Sequence, residues 1–402
     1  MPTSRPPRRR IKHPKQAAIK RLTGILGGAL AQGTVSFDRR ILGIERRRRW
    51  KDGFDYILPG FIDLQVNGAY GVDVMSARAE DLVEVSHCLA HEGTTGWLPT
   101  VITSPIDEIE RCDAIIAEAM AAQNELEKQS DSAGRALAGA TILGMHLEGP
   151  FISPYRLGAH PPLNLVPQGE AIERILQLKA LRLITIAPEL DGAIDAIRRL
   201  TARGVAVSIG HTEATYEQAV AGVKAGARMF THVFNAMPPI HHRRPGAVGA
   251  ALTYPLARAA LIADGVHVHP AVLRLARRPS GTVLTTDRVA LAGAESASMP
   301  LFGGLVRAAR IENGAARLPD GTLAGSVITM IEGARQAIGK LGDAKTGIFK
   351  AQRLASMTAS EPAAILGLSD RGTIKRRARA DLIVIDGELN LKAVYIGGRE
   401  ID

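Results

Sequence analysis

Eight short apolar runs alternate with amphipathic stretches through the middle of this chain, and that alternation leaves few folds open. The runs are Gly60–Val66, Thr94–Val101, Thr141–Leu147, Leu181–Ala187, Gly204–Gly210, Arg228–Thr231, Ala259–Ala263 and Gly281–Thr286. Between most of them lie stretches with apolar residues every three or four positions, the spacing that gives a helix one buried face. These are Glu80–His91, Ile106–Leu126, Leu190–Ala202 and Tyr216–Ala225. Thr215 and Gln218 have capping-box spacing at the start of the last one. Eight strands alternating with helices predict an α/β fold, a (β/α)8 barrel of the TIM type. A doubly wound open sheet shares the pattern, but no Gly-rich dinucleotide-binding turn follows any run.

The two ends read differently. Gly33–Phe37, Ile41–Ile44, Ala380–Asp386 and Lys392–Ile396 are short strand-like runs, with Gly397-Gly398 as a turn. They predict a small β-sandwich-like domain made by both chain ends, residues 22–57 and 368–402, around a barrel of residues 58–367. Only 4% of the 402 residues are aromatic, so the core must be built from Leu, Ile, Val and Ala.

The formal charge of +10 suggests nucleic acid until it is located. Residues 1–51 hold 15 of the 50 Lys and Arg against two acids, Asp38 and Glu45. The body is left with 35 basic against 38 acidic residues, close to neutral. Residues 1–21 lack acids and are rich in Pro, Arg and Lys, the composition of a disordered tail. No aromatic residue interleaves these basic positions, which argues against a nucleic-acid partner. Leu22–Ala31 admits two readings, the lead-in to a first strand or a weakly apolar targeting core. No apolar run has the length of a membrane span. The two cysteines, Cys88 and Cys112, form no metal-like pair and no disulfide framework, which fits a cytoplasmic protein.

Barrel catalysts sit at the C-terminal ends of strands. Here Glu148, His211, His232 and Asp287 each directly follow an apolar run, and Ile262-Ala263-Asp264 leads to His267. Two imidazoles and a carboxylate suit Zn²⁺ or another divalent ion and leave one coordination position open. Each residue alone also reads as a packed or turn-capping side chain. On spacing alone, a metal centre and a set of coincidences stay equally open.

Longer motifs carry a resemblance. Gly60-Phe61-Ile62-Asp63-Leu64, His146-Leu147-Glu148-Gly149-Pro150 and Gly210-His211-Thr212 resemble motifs of the amidohydrolase superfamily. Within it, Thr231-His232-Val233-Phe234-Asn235-Ala236-Met237-Pro238 resembles the N-acetylglucosamine-6-phosphate deacetylases. So do Arg244-Pro245-Gly246, Ala263–His267 and Leu323-Ala324-Gly325-Ser326. The resemblance implies Glu148, His211 and His232 as ligands of one divalent metal per chain, Zn²⁺, with Fe²⁺, Mn²⁺ or Co²⁺ as other ions these donors accept. It implies Asp287 as the base and acid that moves a proton from the metal-activated water to the leaving amine. His160 would steady the oxyanion. Ala159, His160, Asn235, Ala236, Asp264 and Leu323–Gly325 would contact substrate. Arg243 and His267 would hold a sugar phosphate, both reaching in from the neighbouring subunit of a homodimer.

Three features depart from the common pattern. Gln65-Val66-Asn67 stands where many superfamily members have His-x-His, and amides are poor transition-metal ligands, so one metal is expected rather than two. Arg288 follows the catalytic Asp, either turned to solvent or acting as a cation beside Asp287. The basic N-terminus is the third. His241-His242 reads as a loop at the substrate rim rather than a second metal site, and His87 with His91 as a surface pair.

Overall fold

The computed structural model describes residues 19–27, 31–47, 53–129, 139–276, 281–295, 298–299, 303, 309–342 and 344–402. Most of the basic tail, residues 1–18, therefore lies outside the described residues. Eight parallel strands form the barrel. They are β1 (Phe61–Val66), β2 (Thr94–Ile102), β3 (Met145–Glu148), β4 (Leu181–Ile186), β5 (Ala206–Ile209), β6 (Met229–Phe230), β7 (Arg258–Leu261) and β8 (Thr282–Leu284). Each pairs with the next in order. The ring closes just past β8. There Asp287 N–H donates to the Gln65 carbonyl at 3.0 Å and Asn67 N–H to the Arg288 carbonyl at 2.8 Å.

Period-two alternation decides which side chains enter the barrel. On β2, Leu98 points inward while Trp97 and Val101 join the outer core beneath the helices. Ile62, Leu64, Leu98, Leu183, Met229, Ala260 and Val283 fill the lower interior, plugged by Ala363, Ile365 and Leu366 from the segment that includes helix Glu361–Ile365. Above that apolar layer lies a polar one. His146 Nε2 meets Thr185 Oγ1 at 2.9 Å, and Thr185 meets Thr231 at 2.8 Å. Burial lowers the His146 pKa to about 4, so its ring is neutral. The strand ends then present their ligands on top of this layer.

The chain ends meet in one seven-stranded sheet. Its order is Arg399–Glu400, Leu391–Ile396, Leu382–Ile385, Tyr56–Pro59, Lys20–Leu26, Ala31–Phe37 and Ile41–Arg46. Leu26, Val35, Phe37, Ile57, Leu382 and Tyr395 build a small core on one face. Alternate residues Ile25, Tyr56, Leu58 and Ile383 face the main core, which ties the sheet to the barrel. The seam between the two ends is Tyr56–Pro59 paired antiparallel with Leu382–Ile385.

A four-stranded antiparallel sheet follows β8, from Ser298–Met299 through Ala309–Glu312, Ala315–Arg317 and Leu323–Ser326. Sequence patterning did not reveal it, since its strands are short and weakly apolar. Its last strand docks on the barrel seam, where Ser326 N–H donates to the Asp287 carbonyl at 2.8 Å. Among the described residues no helix is long and apolar enough to cross a membrane.

Candidate active site

Glu148 ends β3, while His211 and His232 lie just beyond β5 and β6. Their rings and carboxylate converge: His232 Nε2 is 2.9 Å and His211 Nε2 3.2 Å from Glu148 Oε1, and the two Nε2 atoms are 3.1 Å apart. Among the described residues this is the one group of three or more His, Cys, Asp or Glu side chains able to converge on an ion. His211, His232 and Asp287 have left-handed backbones, with φ of 48°, 25° and 50°. Non-glycine residues pay strain for that conformation, which recurs at functional sites.

The donor set fits a divalent ion. His211 Nδ1 lies 2.8 Å from the Arg156 carbonyl, which only accepts, so Nδ1 carries the hydrogen. The Nε2 lone pair of His211 then faces Glu148 and His232. Burial, with His160 nearby, lowers the His211 pKa to about 4, so that ring stays neutral and its Nε2 carries no hydrogen near neutrality. A lone pair facing a carboxylate in a buried site calls for a cation. Burial opposes ionisation of Glu148, yet the imidazoles of His160, His211 and His232 around it hold its carboxyl well below the usual range. Burial also works against the charged form of His232, but the Glu148 hydrogen bond and charge raise its pKa.

Asp287 stands apart from this trio. Burial and the negative charge of Glu148 push its pKa up to about 7, where a carboxyl both takes and gives protons at neutral pH. Asn67 Nδ2 donates to Asp287 Oδ1 at 2.8 Å, and Gln65 Nε2 donates to Glu148 Oε1 at 3.0 Å. The two amides thus serve the two carboxylates as hydrogen-bond donors.

His160 takes its tautomer from Thr103. The Thr103 backbone N–H, which can only donate, reaches His160 Nδ1 at 3.3 Å. The neutral ring therefore carries its hydrogen on Nε2, 3.3 Å from Glu148 Oε2 inside the site. Sequence reasoning missed Thr103, and it missed the task of Asp63. Asp63 Oδ1 accepts from Thr285 Oγ1 at 2.9 Å and Thr286 N–H at 3.2 Å, fixing the turn before Asp287. Its place in the Gly-Phe-Ile-Asp-Leu motif was the available signal.

A cavity of about 270 Å³ gathers most of the expected residues. Glu148, His160, His211, His232 and Asp287 line it with Ala159, Asn235, Ala236, His267 and Leu323–Gly325. Two expectations need correction. His267 lines the cavity of its own chain, on a turn held by Asp264. Arg243, expected to act on a neighbouring subunit, lies outside the cavity of its own chain; the 238–246 loop carries it into a separate cavity of about 510 Å³ with His241 and Arg244. Arg288 is neither at the surface nor beside the Asp287 carboxyl. Its guanidinium is 2% exposed, ion-paired with Glu92 and 5.4 Å from the centre of the Tyr70 ring. Alternation past β8 sends neighbouring side chains to opposite sides of the seam. Asp264 is absent from the lining too. Its Oδ1 accepts from the Val266 and His267 N–H groups at 2.9 and 2.8 Å, and its Oδ2 lies 2.6 Å from His267 Nδ1. Of the two roles weighed for it, ordering the turn is the one seen.

A model of the amidohydrolase family matches residues 56–401. The chain belongs to the amidohydrolase family. Its relatives narrow the comparison. It is 37% identical over 364 residues to the N-acetylglucosamine-6-phosphate deacetylase of Danio rerio, covering 86% of this chain and 84% of that one. It is 35% identical over 353 residues to the N-acetylgalactosamine-6-phosphate deacetylase of Escherichia coli O157:H7, covering 86% and 87%. In structure it is similar to a mutant N-acetyl-D-glucosamine-6-phosphate deacetylase from Mycobacterium smegmatis in complex with N-acetyl-D-glucosamine-6-phosphate. That match has a TM-score of 0.83 at 30% identity and covers 96% of this chain and 99% of the other.

Proposed function

We propose that this amidohydrolase hydrolyses the acetamide of N-acetylglucosamine 6-phosphate to glucosamine 6-phosphate and acetate. The observation that carries the reading is one cavity holding a divalent-ion donor trio, a separate carboxyl with its pKa near 7, and an N–H-bearing imidazole. Amide hydrolysis needs all three functions, and relatives of that name share most of the chain length.

Glu148, His211 and His232 would hold one divalent ion, Zn²⁺ by donor chemistry, with Fe²⁺, Mn²⁺ and Co²⁺ also suited. When bound, the ion supplies Lewis acidity that brings the pKa of water toward about 7 and polarises the acetyl carbonyl. The remaining work belongs to the chain. Asp287 accepts a proton as the water oxygen attacks the carbonyl carbon. His160 Nε2–H donates to the carbonyl oxygen as charge gathers there. Asp287 then returns the proton to the nitrogen as the C–N bond breaks, and acetate and the amine leave.

Asn235, Ala236 and Leu323–Gly325 surround the sugar, and His267 meets the phosphate end. Arg243, outside its own chain's cavity, would reach the phosphate of a second copy, making a homodimer the working unit. The barrel over 58–367 carries the chemistry, with the terminal sheet of 22–57 and 368–402 as its support. A cytoplasmic place, with no membrane or nucleic-acid partner, suits a small sugar-phosphate substrate.

Resemblance to the galactosamine-type deacetylase favours a second reading, the epimer at C4. Acetate release from both sugar phosphates decides between them. The proposal requires higher kcat/KM on the gluco epimer and loss of turnover in Asp287→Asn. Equal or better use of the galacto epimer supports the second reading.

A further inference from the structure

Arg317 is the one arginine or lysine that lines the reaction cavity. It belongs to the antiparallel sheet after β8, directly across from Leu323 in the adjoining strand. Its Nη1 donates to the Gly321 carbonyl at 2.8 Å, which folds the guanidinium over the turn that ends at Thr322. No carboxylate pairs with it among the described residues. A guanidinium retains its charge at any pH a protein tolerates and offers five N–H donors, so most of this fork is left for another acceptor.

Depth in the cavity orders the groups. Glu148, His211 and His232 are 3–4% exposed at the floor, whereas Arg317 is half-buried at the rim. A pyranose with its 2-acetamido group at the floor extends its C6 substituent toward that rim. His267 lines the same cavity, with Nδ1 turned to Asp264 and Nε2 left for another partner. We propose that Arg317 is a specificity-determining residue that binds the phosphate of the substrate from within the same subunit. The assignment rests on the deacetylase reading above. It explains how a dianionic substituent is met by this chain when Arg243 lies in a different cavity. Binding the remote phosphate adds affinity shared by the ground state and the transition state.

The test uses Arg317→Ala and Arg317→Lys in the full-length, metal-loaded enzyme, with thermal melts to verify folding. For N-acetylglucosamine 6-phosphate, Arg317→Ala is expected to raise KM by about tenfold or more with kcat within about twofold. Arg317→Lys should fall between, since it retains charge but loses the fork. Turnover of unphosphorylated N-acetylglucosamine should not change. Calorimetric titration with glucosamine 6-phosphate should show the same tenfold weakening, and titration with glucosamine none. An unchanged KM for the phosphorylated sugar, or an equal change for both sugars, overturns the assignment. A wild-type chain that binds glucosamine 6-phosphate but releases no acetate overturns the reaction instead, and the titrations then decide the role of Arg317 alone.

Discussion

Asn67 donates a hydrogen bond from Nδ2 to Asp287 Oδ1 at 2.8 Å, across the seam where the barrel closes. The bond favours the ionised carboxyl and opposes the burial that raises its pKa. Asn67→Ala should therefore move the acid limb of the kcat/KM profile to higher pH and lower kcat by about tenfold. A pH–rate profile that superimposes on wild type would remove Asn67 from the mechanism.

Arg288 and Glu92 form an ion pair inside the protein, behind the site rather than in it. Removing Arg288 takes the cation from a Glu92 carboxylate that is only 16% exposed and leaves it the Tyr70 hydroxyl as donor. Arg288→Met is expected to cost about 3 kcal/mol in denaturant unfolding. The double variant Arg288→Met with Glu92→Leu should recover part of that loss. A single variant as stable as wild type would contradict the pairing.

The raised pKa of Asp287 has a thermodynamic signature. With its folded value near 7 and an unfolded value near 3.8, the native state keeps a proton that the unfolded chain has released. The wild type therefore loses stability relative to Asp287→Asn as pH rises from about 4 to about 7, and the difference is constant above that. Thermal melts of both proteins in chelator, across that range, measure it. A difference that grows in favour of wild type would mean that the carboxyl is not raised.

Much of this was legible in the sequence because strands leave a strong periodic trace. The apolar runs ending at Glu148, His211 and His232 are strands of the barrel, and their order brings these three side chains together at one end of it. What escaped depended on contacts distant in the chain. The sheet that carries Arg317 has strands of two to four residues, too short for alternation to register. Helix Gly246–Thr253 is apolar on most sides, so it has no amphipathic period to find. Thr103 meets His160 Nδ1 with both its backbone N–H and its hydroxyl across 57 positions, a pairing that no local pattern announces. Arg288 read as a surface residue since its partner, Glu92, lies 196 positions away.

The central claim is a single-ion amide hydrolase whose ligands are Glu148, His211 and His232. The direct measurement is acetate release from N-acetylglucosamine 6-phosphate by chelator-stripped protein as Zn²⁺ is added back in known ratio to chains. With Gln65 and Asn67 committed to the two carboxylates, activity should return linearly and reach its plateau at one ion per chain. A plateau at two ions, or no acetate at any ratio, would contradict it.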